Sequence, residues 1–122
     1  NNNIQITSAC MPPIYYHHKD TNQVEELIIQ GMPLGAMRNA SYKILEREIK
    51  SGDTILLITD GLPEQMNSNE EMFDYSRVKN TFNDIIENSP NTIIEKLVEA
   101  GDNWMNGRVQ DDDITFVVIR IK

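Results

Sequence analysis

The sequence predicts an α+β fold: short antiparallel strands, then two amphipathic helices and a closing strand. Three observations carry this expectation. The segments Thr54 to Thr59 and Ile114 to Ile121 are apolar on adjacent as well as alternating positions, the pattern of strands covered on both faces. Val78, Phe82, Ile85 and Ile86, and after them Ile93, Ile94, Leu97 and Val98, recur at helical spacing with polar residues between. The length of 122 residues, 39% hydrophobic and 25% charged, suits one core and not two.

Taken in order, Ile4 to Ala9 and Ile14 to His17 read as short strands on either side of Met11-Pro12-Pro13. Val24 to Ile29 reads as a third after the polar turn Lys19-Asp20-Thr21-Asn22, giving a small antiparallel start. Gly31-Met32-Pro33-Leu34-Gly35 predicts a shaped loop, because Pro33 lacks an amide proton and glycine reaches backbone angles closed to other residues. Residues 42–49 fit strand or helix by their own pattern; the turn sequence Lys50-Ser51-Gly52-Asp53 decides for a β-hairpin of 42–49 with 54–59. Beyond Asp60-Gly61-Leu62-Pro63 comes the first helix. Ser89 is placed to accept a hydrogen bond from the free amides of a second helix that Pro90 begins, with a stripe running to Trp104 and Met105. In the last strand Ile114, Phe116 and Val118 face one way and Val117, Ile119 and Ile121 the other. There is no repeat or linker, so residues 1–122 form one unit, and a start at Asn1-Asn2-Asn3 without Met reads as part of something longer.

Eleven Lys and Arg against nineteen Asp and Glu give a net charge of −8. That balance repels nucleic-acid phosphates and anionic lipid, and favours a docking partner presenting basic groups. The longest strictly aliphatic run, Ile55-Leu56-Leu57-Ile58, falls far short of the roughly 20 residues of a membrane span, and no basic signal-peptide region precedes it. Cys10 is the single cysteine, in keeping with a reducing compartment. The expectation is a cytoplasmic domain with neither nucleic acid nor membrane as partner.

Chemistry is expected where acid meets the edge of the core. Asp60 ends one buried strand, and Asp111, Asp112 and Asp113 precede another. If those strands are antiparallel neighbours, their acids share one rim. Two carboxylates about 4 Å apart repel by roughly 4 kcal/mol at an effective dielectric near 20, so a proton or a cation must intervene. Hard oxygen donors without a nearby Cys or His pattern favour Mg²⁺, Mn²⁺ or Ca²⁺ over Zn²⁺ or Cu²⁺. An EF-hand is excluded, since the sixth position from Asp111 is Phe116 where glycine is required. An Asp-Gly turn and a solvated acidic stretch would give the same residues, so pattern alone leaves the metal site open.

Three blocks in order, Gly31-Met32-Pro33-Leu34-Gly35, then Gly52 to Leu62 with Thr59-Asp60-Gly61-Leu62 followed by Glu64 and Asn67, and Gln110-Asp111-Asp112-Asp113-Ile114-Thr115, resemble the later part of the SpoIIE/RsbU-type serine phosphatase domain. This is a bacterial branch of the metal-dependent PPM (PP2C-like) phosphatases, and the resemblance covers nearly the whole chain. It implies an α-β-β-α sandwich of antiparallel sheets flanked by helices, of which residues 1–122 are the C-terminal portion. It also implies a site for two Mn²⁺ or Mg²⁺ ions, with Asp60 and Asp112 as metal ligands and Asp113 as a less certain neighbour. In such a site the ions lower the pKa of a bridging water and orient it for in-line attack on phosphoserine or phosphothreonine. The implied partners are a phosphorylated protein of the anti-sigma-factor antagonist type and an upstream sensor or receiver domain; a homodimer stays open.

The sequence departs from this pattern in places. The family's Asp-x-x-Gly-His-Gly-like block, which supplies further ligands, has no counterpart here, so the isolated chain is expected to bind Mn²⁺ weakly and to turn over little or no substrate. Ala9-Cys10-Met11-Pro12-Pro13 stands where the family often has Ala-Gly-His-x-Pro, and Phe73-Asp74 replaces a usual Phe-Gly. His17 and His18 are expected on an exposed hairpin, pointing to opposite faces, and Cys10 as a small packed hydrophobe. Competing readings are a non-catalytic binding module that keeps the fold, and a structural Ca²⁺-binding domain.

Overall fold

The structure, a computed structural model, describes residues 2–122. Its strands are β1 (Asn3–Ile6), β2 (Ile14–His18), β3 (Gln23–Leu27), β4 (Leu45–Glu48), β5 (Thr54–Ile58) and β6 (Phe116–Arg120), with helices α1 (Tyr75–Asp84) and α2 (Pro90–Met105) between the last two strands. A four-stranded antiparallel sheet has the order β3-β2-β5-β6, and β1 pairs antiparallel with β4 in a separate two-stranded sheet. The α+β expectation holds.

Alternation along the central strands builds three layers. Tyr15, Leu56 and Ile58 turn to one face and pack with Val78, Phe82, Ile86, Ile93 and Leu97 of the helical layer. Their neighbours Tyr16 and Ile55 turn to the other face, where Ile14 and Leu27 join them and Ile4, Ile6 and Leu45 of the small sheet cover them. β5 is accordingly apolar on both sides, as its sequence predicts.

The expected hairpin of 42–49 with 54–59 does not form. The turn is there, with the Asp53 amide donating to the Lys50 carbonyl at 3.0 Å, but β4 crosses to the second sheet and pairs with β1. The reason lies in β5: both its edges are taken by β2 and β6, and β4, half-buried on alternate residues and exposed on the others, suits an outer layer. The antiparallel start is likewise confined to β2 and β3. β6 is covered on one face by the helices, whereas Val117 and Ile119 are 47% and 39% exposed, so the expectation of burial on both faces fails there; the β1–β4 layer stops short of β6.

The helix ends follow their sequences. Ser89 caps α2 by accepting from the Thr92 amide, with Pro90 in the first turn. Asp74 caps α1 from a backbone φ of 69°, and its carboxylate also pairs with Arg77 at 2.8 Å. The turn that glycine usually makes is therefore kept with aspartate. At the far end of α1 the Arg120 guanidinium donates to the carbonyls of Ile86 and Asn88 and to Thr54 Oγ1, matching a cation to the negative end of the helix. Trp104 donates from Nε1 to the carbonyls of Gln65 and Glu71, meets Phe73 edge-on and lies under Arg77, which places it in the helix–loop packing.

Asp53 ties the layers together. It is 2% exposed, and its carboxylate accepts from Tyr16 Oη at 2.6 Å and from the amides of Lys19 and Lys50 at 2.9 Å each. Burial pushes its carboxyl up, but the Tyr16 hydroxyl and the two amides outweigh that and hold it below the usual carboxylate range. Burial and the bond to Asp53 raise the Tyr16 hydroxyl in turn. Asp53→Ala is expected to cost roughly 2–4 kcal/mol in urea denaturation, because it leaves buried donors unmatched. A depressed folded pKa gives stability that is complete above the unfolded value, about 3.9, and lost as pH falls through the folded value; Asp53→Asn should therefore flatten the acid limb of the stability curve below about pH 4.

Candidate functional site

The antiparallel register of β5 with β6 places Ile58 opposite Phe116, so the residues that follow β5 meet the residues that precede β6. Thr59 closes this junction. Its amide donates to the Thr115 carbonyl at 3.2 Å, its hydroxyl donates to the Asp113 carbonyl at 3.3 Å, and the same hydroxyl accepts from the Thr115 amide at 2.9 Å. Gly61 lies so close that a Cβ there would fall 2.2 Å from the Asp113 carbonyl oxygen. The Asp-Gly pair is thus more than a turn: its glycine admits the acidic loop.

Asp60, Asp112 and Asp113 are all exposed, on the two segments that this junction joins. Among the described residues neither Asp60 nor Asp113 has a side-chain ion pair or hydrogen bond, while one oxygen of Asp112 accepts from the Asp113 amide at 2.7 Å. Asp111 is turned away. Gln65, fully buried, donates from Nε2 to its carboxylate at 3.1 Å and accepts its amide at Oε1, and Arg108 lies 3.5 Å from its other oxygen. Gln65 and Arg108 were not candidates from the sequence; a single amide in a loop carries no periodic signal. Glu64, one turn past Asp60, belongs to the same acidic side, for burial and then the charges of Glu64 and Asp60 raise the Tyr75 hydroxyl.

The donors fit a hard divalent cation in kind, being exposed carboxylates free of cationic partners. In number they are part of a set: among the described residues no group of three or more His, Cys, Asp or Glu could hold a metal ion. The other sequence candidates lie elsewhere. His17 is 1% exposed, which overturns its placement on an exposed hairpin: it points between β2 and the α1–α2 connection and bonds Asn22 through Nε2 at 2.9 Å. Cys10 is exposed at a φ of 67° and not packed, because it sits in a turn outside both cores.

A helical layer on a four-stranded antiparallel sheet, backed by a second sheet, matches the fold of PP2C phosphatase domains of known structure. The SiaA-PP2C domain of Pseudomonas aeruginosa matches 99% of this chain with a TM-score of 0.82 at 23% identity, over 47% of its own length. The PP2C phosphatase domain of the cell fate determinant SpoIIE from Bacillus subtilis, with a fragment of its regulatory domain, matches 97% with a TM-score of 0.76 at 20% identity, over 34% of its length. The family described as Stage II sporulation protein E (SpoIIE) matches residues 1–122, and the chain belongs to that family. The curated Stage II sporulation protein E of Bacillus subtilis (strain 168) is 25% identical over 106 residues, which are 84% of this chain and 12% of that protein. The chain spans less than half of either solved chain and a small part of the curated relative.

Substitution at the two loop anchors should separate packing from charge. Gly61→Ala must push the 113 loop away and is expected to destabilise by about 1–3 kcal/mol. Gln65→Leu leaves the Asp111 loop untied and should cost a similar amount while adding no charge. Chemical denaturation of both variants against the unsubstituted chain checks the assignment.

Proposed function

We propose that this chain is the carboxylate-bearing portion of a metal-dependent protein serine/threonine phosphatase of the PPM type, acting on a phosphoserine or phosphothreonine of a bacterial signalling protein of the anti-sigma-factor antagonist kind. The observation that supports it most is the closure of Thr59 and Gly61 on the Asp113 backbone, which joins the segment carrying Asp60 to the segment carrying Asp112 and Asp113 in a chain of the SpoIIE family. A structure of the Bacillus subtilis SpoIIE phosphatase domain is of a Mn-presoaked form, which favours Mn²⁺ as the ion here.

Asp60 and Asp112 would hold the ions, with Asp113 as an additional oxygen donor. A bound pair of Mn²⁺ or Mg²⁺ ions supplies Lewis-acid activation of water and neutralisation of phosphoryl charge. The chain's own part is positional. Thr59 and Gly61 hold the two acidic loops together, and Gln65 with Arg108 ties the carboxylate of Asp111, so that its charge is compensated. The acidic surface around the rim repels anionic polymers and selects a phosphoprotein whose flanking surface is basic. An upstream sensor or receiver domain is the expected source of control.

Assay of the full-length protein with Mn²⁺ on a phosphoserine protein substrate tests this reading. Asp60→Asn and Asp112→Asn should each lower kcat/KM by about 100-fold or more while leaving the fold intact by circular dichroism. Residues 1–122 alone should bind Mn²⁺ weakly and show little or no turnover. Wild-type rates in both variants would overturn Asp60 and Asp112 as ligands, whereas no turnover by the full-length protein would move the role to a non-catalytic binding module.

A further inference from the structure

A second polar site lies at the opposite end of β5, roughly 15–20 Å from the acidic rim by strand rise. Here His17, Lys19, Thr54, Glu87 and Arg120 line a pocket of about 100 Å³ between β2, β6 and the α1–α2 connection. His17 Nδ1 is buried and has no hydrogen-bond partner, the one such side-chain nitrogen or oxygen among the described residues. A buried polar atom left without a partner is costly, so a group that matches it binds with an advantage.

We propose that this pocket binds a small oxyanion of the size of phosphate or sulfate, held by Arg120, Lys19 and His17 Nδ1. Charge selects an anion over water. Lys19 is paired with Glu87 at 3.0 Å, but Arg120 has no carboxylate partner among the described residues; its three bonds go to neutral oxygens of Thr54, Asn88 and Ile86, leaving two of the five N–H groups of a guanidinium for a ligand. Two cations face one carboxylate, a surplus of one positive charge. Glu87 reports the same field: Lys19 first, and then the charges of His17 and Arg120, hold its carboxyl below the usual range. The anion accepts from Nδ1–H, and Asn22 can match Nε2 with either end of its amide. The volume is that of roughly three waters, enough for a tetrahedral oxyanion and too small for a nucleotide or peptide.

The test is titration of the full-length protein with inorganic phosphate, sulfate or chloride at matched ionic strength, in EDTA so that the acidic rim holds no metal. The readouts are ¹⁵N resonances of the histidine rings, assigned by His17→Phe, and Tm. The expected result is a saturable shift of the His17 ring nitrogens and a rise in Tm with phosphate and sulfate, absent with chloride, diminished in Lys19→Met and unchanged in Asp60→Asn. No saturable shift up to tens of millimolar phosphate, or an equal response to chloride, would overturn the site. So would a response that survives Lys19→Met and vanishes in Asp60→Asn, which would place the anion at the rim. Lys19 is exposed, so its variant keeps the test open even where His17→Phe folds poorly. Because metal is excluded throughout, the outcome is independent of phosphatase activity.

Discussion

The pairing of β5 with β6 determines where this molecule can do chemistry. With Ile58 opposite Phe116, any residue just after β5 must lie beside those just before β6, although more than fifty positions separate them along the chain. Hydrophobic burial sustains the pairing: Leu56 and Ile58 are almost wholly removed from water beneath the helices. The core thus fixes which two loops meet at this end of the sheet.

Around this axis the remaining parts have separable duties. The small β1–β4 sheet covers the face of β5 that the helices leave open, and Asp53 fixes the chain where it crosses between the two sheets. The junction itself is shaped by contacts that carry no charge, the Thr59 hydroxyl and the bare Gly61, while Gln65 ties Asp111 through both its amide and its carboxylate. A site of carboxylates is therefore built largely by neutral groups.

Much of this was legible in the sequence. Apolar periodicity located both helices and the doubly covered strand, Ser89 and Pro90 marked the start of α2, and the antiparallel pairing of β5 with β6 is the one the sequence reading supposed. What failed did so for physical reasons. A turn sequence specifies a reversal of direction but not which sheet the next strand joins, so Lys50-Ser51-Gly52-Asp53 suggested a hairpin where the chain changes layer. Burial of a polar side chain depends on tertiary neighbours, which is why His17 reads as exposed from Tyr-His-His alone and why Gln65 gave no sign. Val117 and Ile119 have the composition of a covered face, but coverage is a property of the neighbouring layer and not of the strand.

Asp74 shows how such a fold can drift in sequence. It occupies a left-handed backbone angle that glycine reaches freely and aspartate reaches at some cost, and it recovers that cost through the α1 amide it caps and through Arg77. The two positions are consequently epistatic. Arg77 also lies over Trp104, so a change at the cap is transmitted to the packing of α2, and tolerated replacements at 74 will depend on which residue occupies 77.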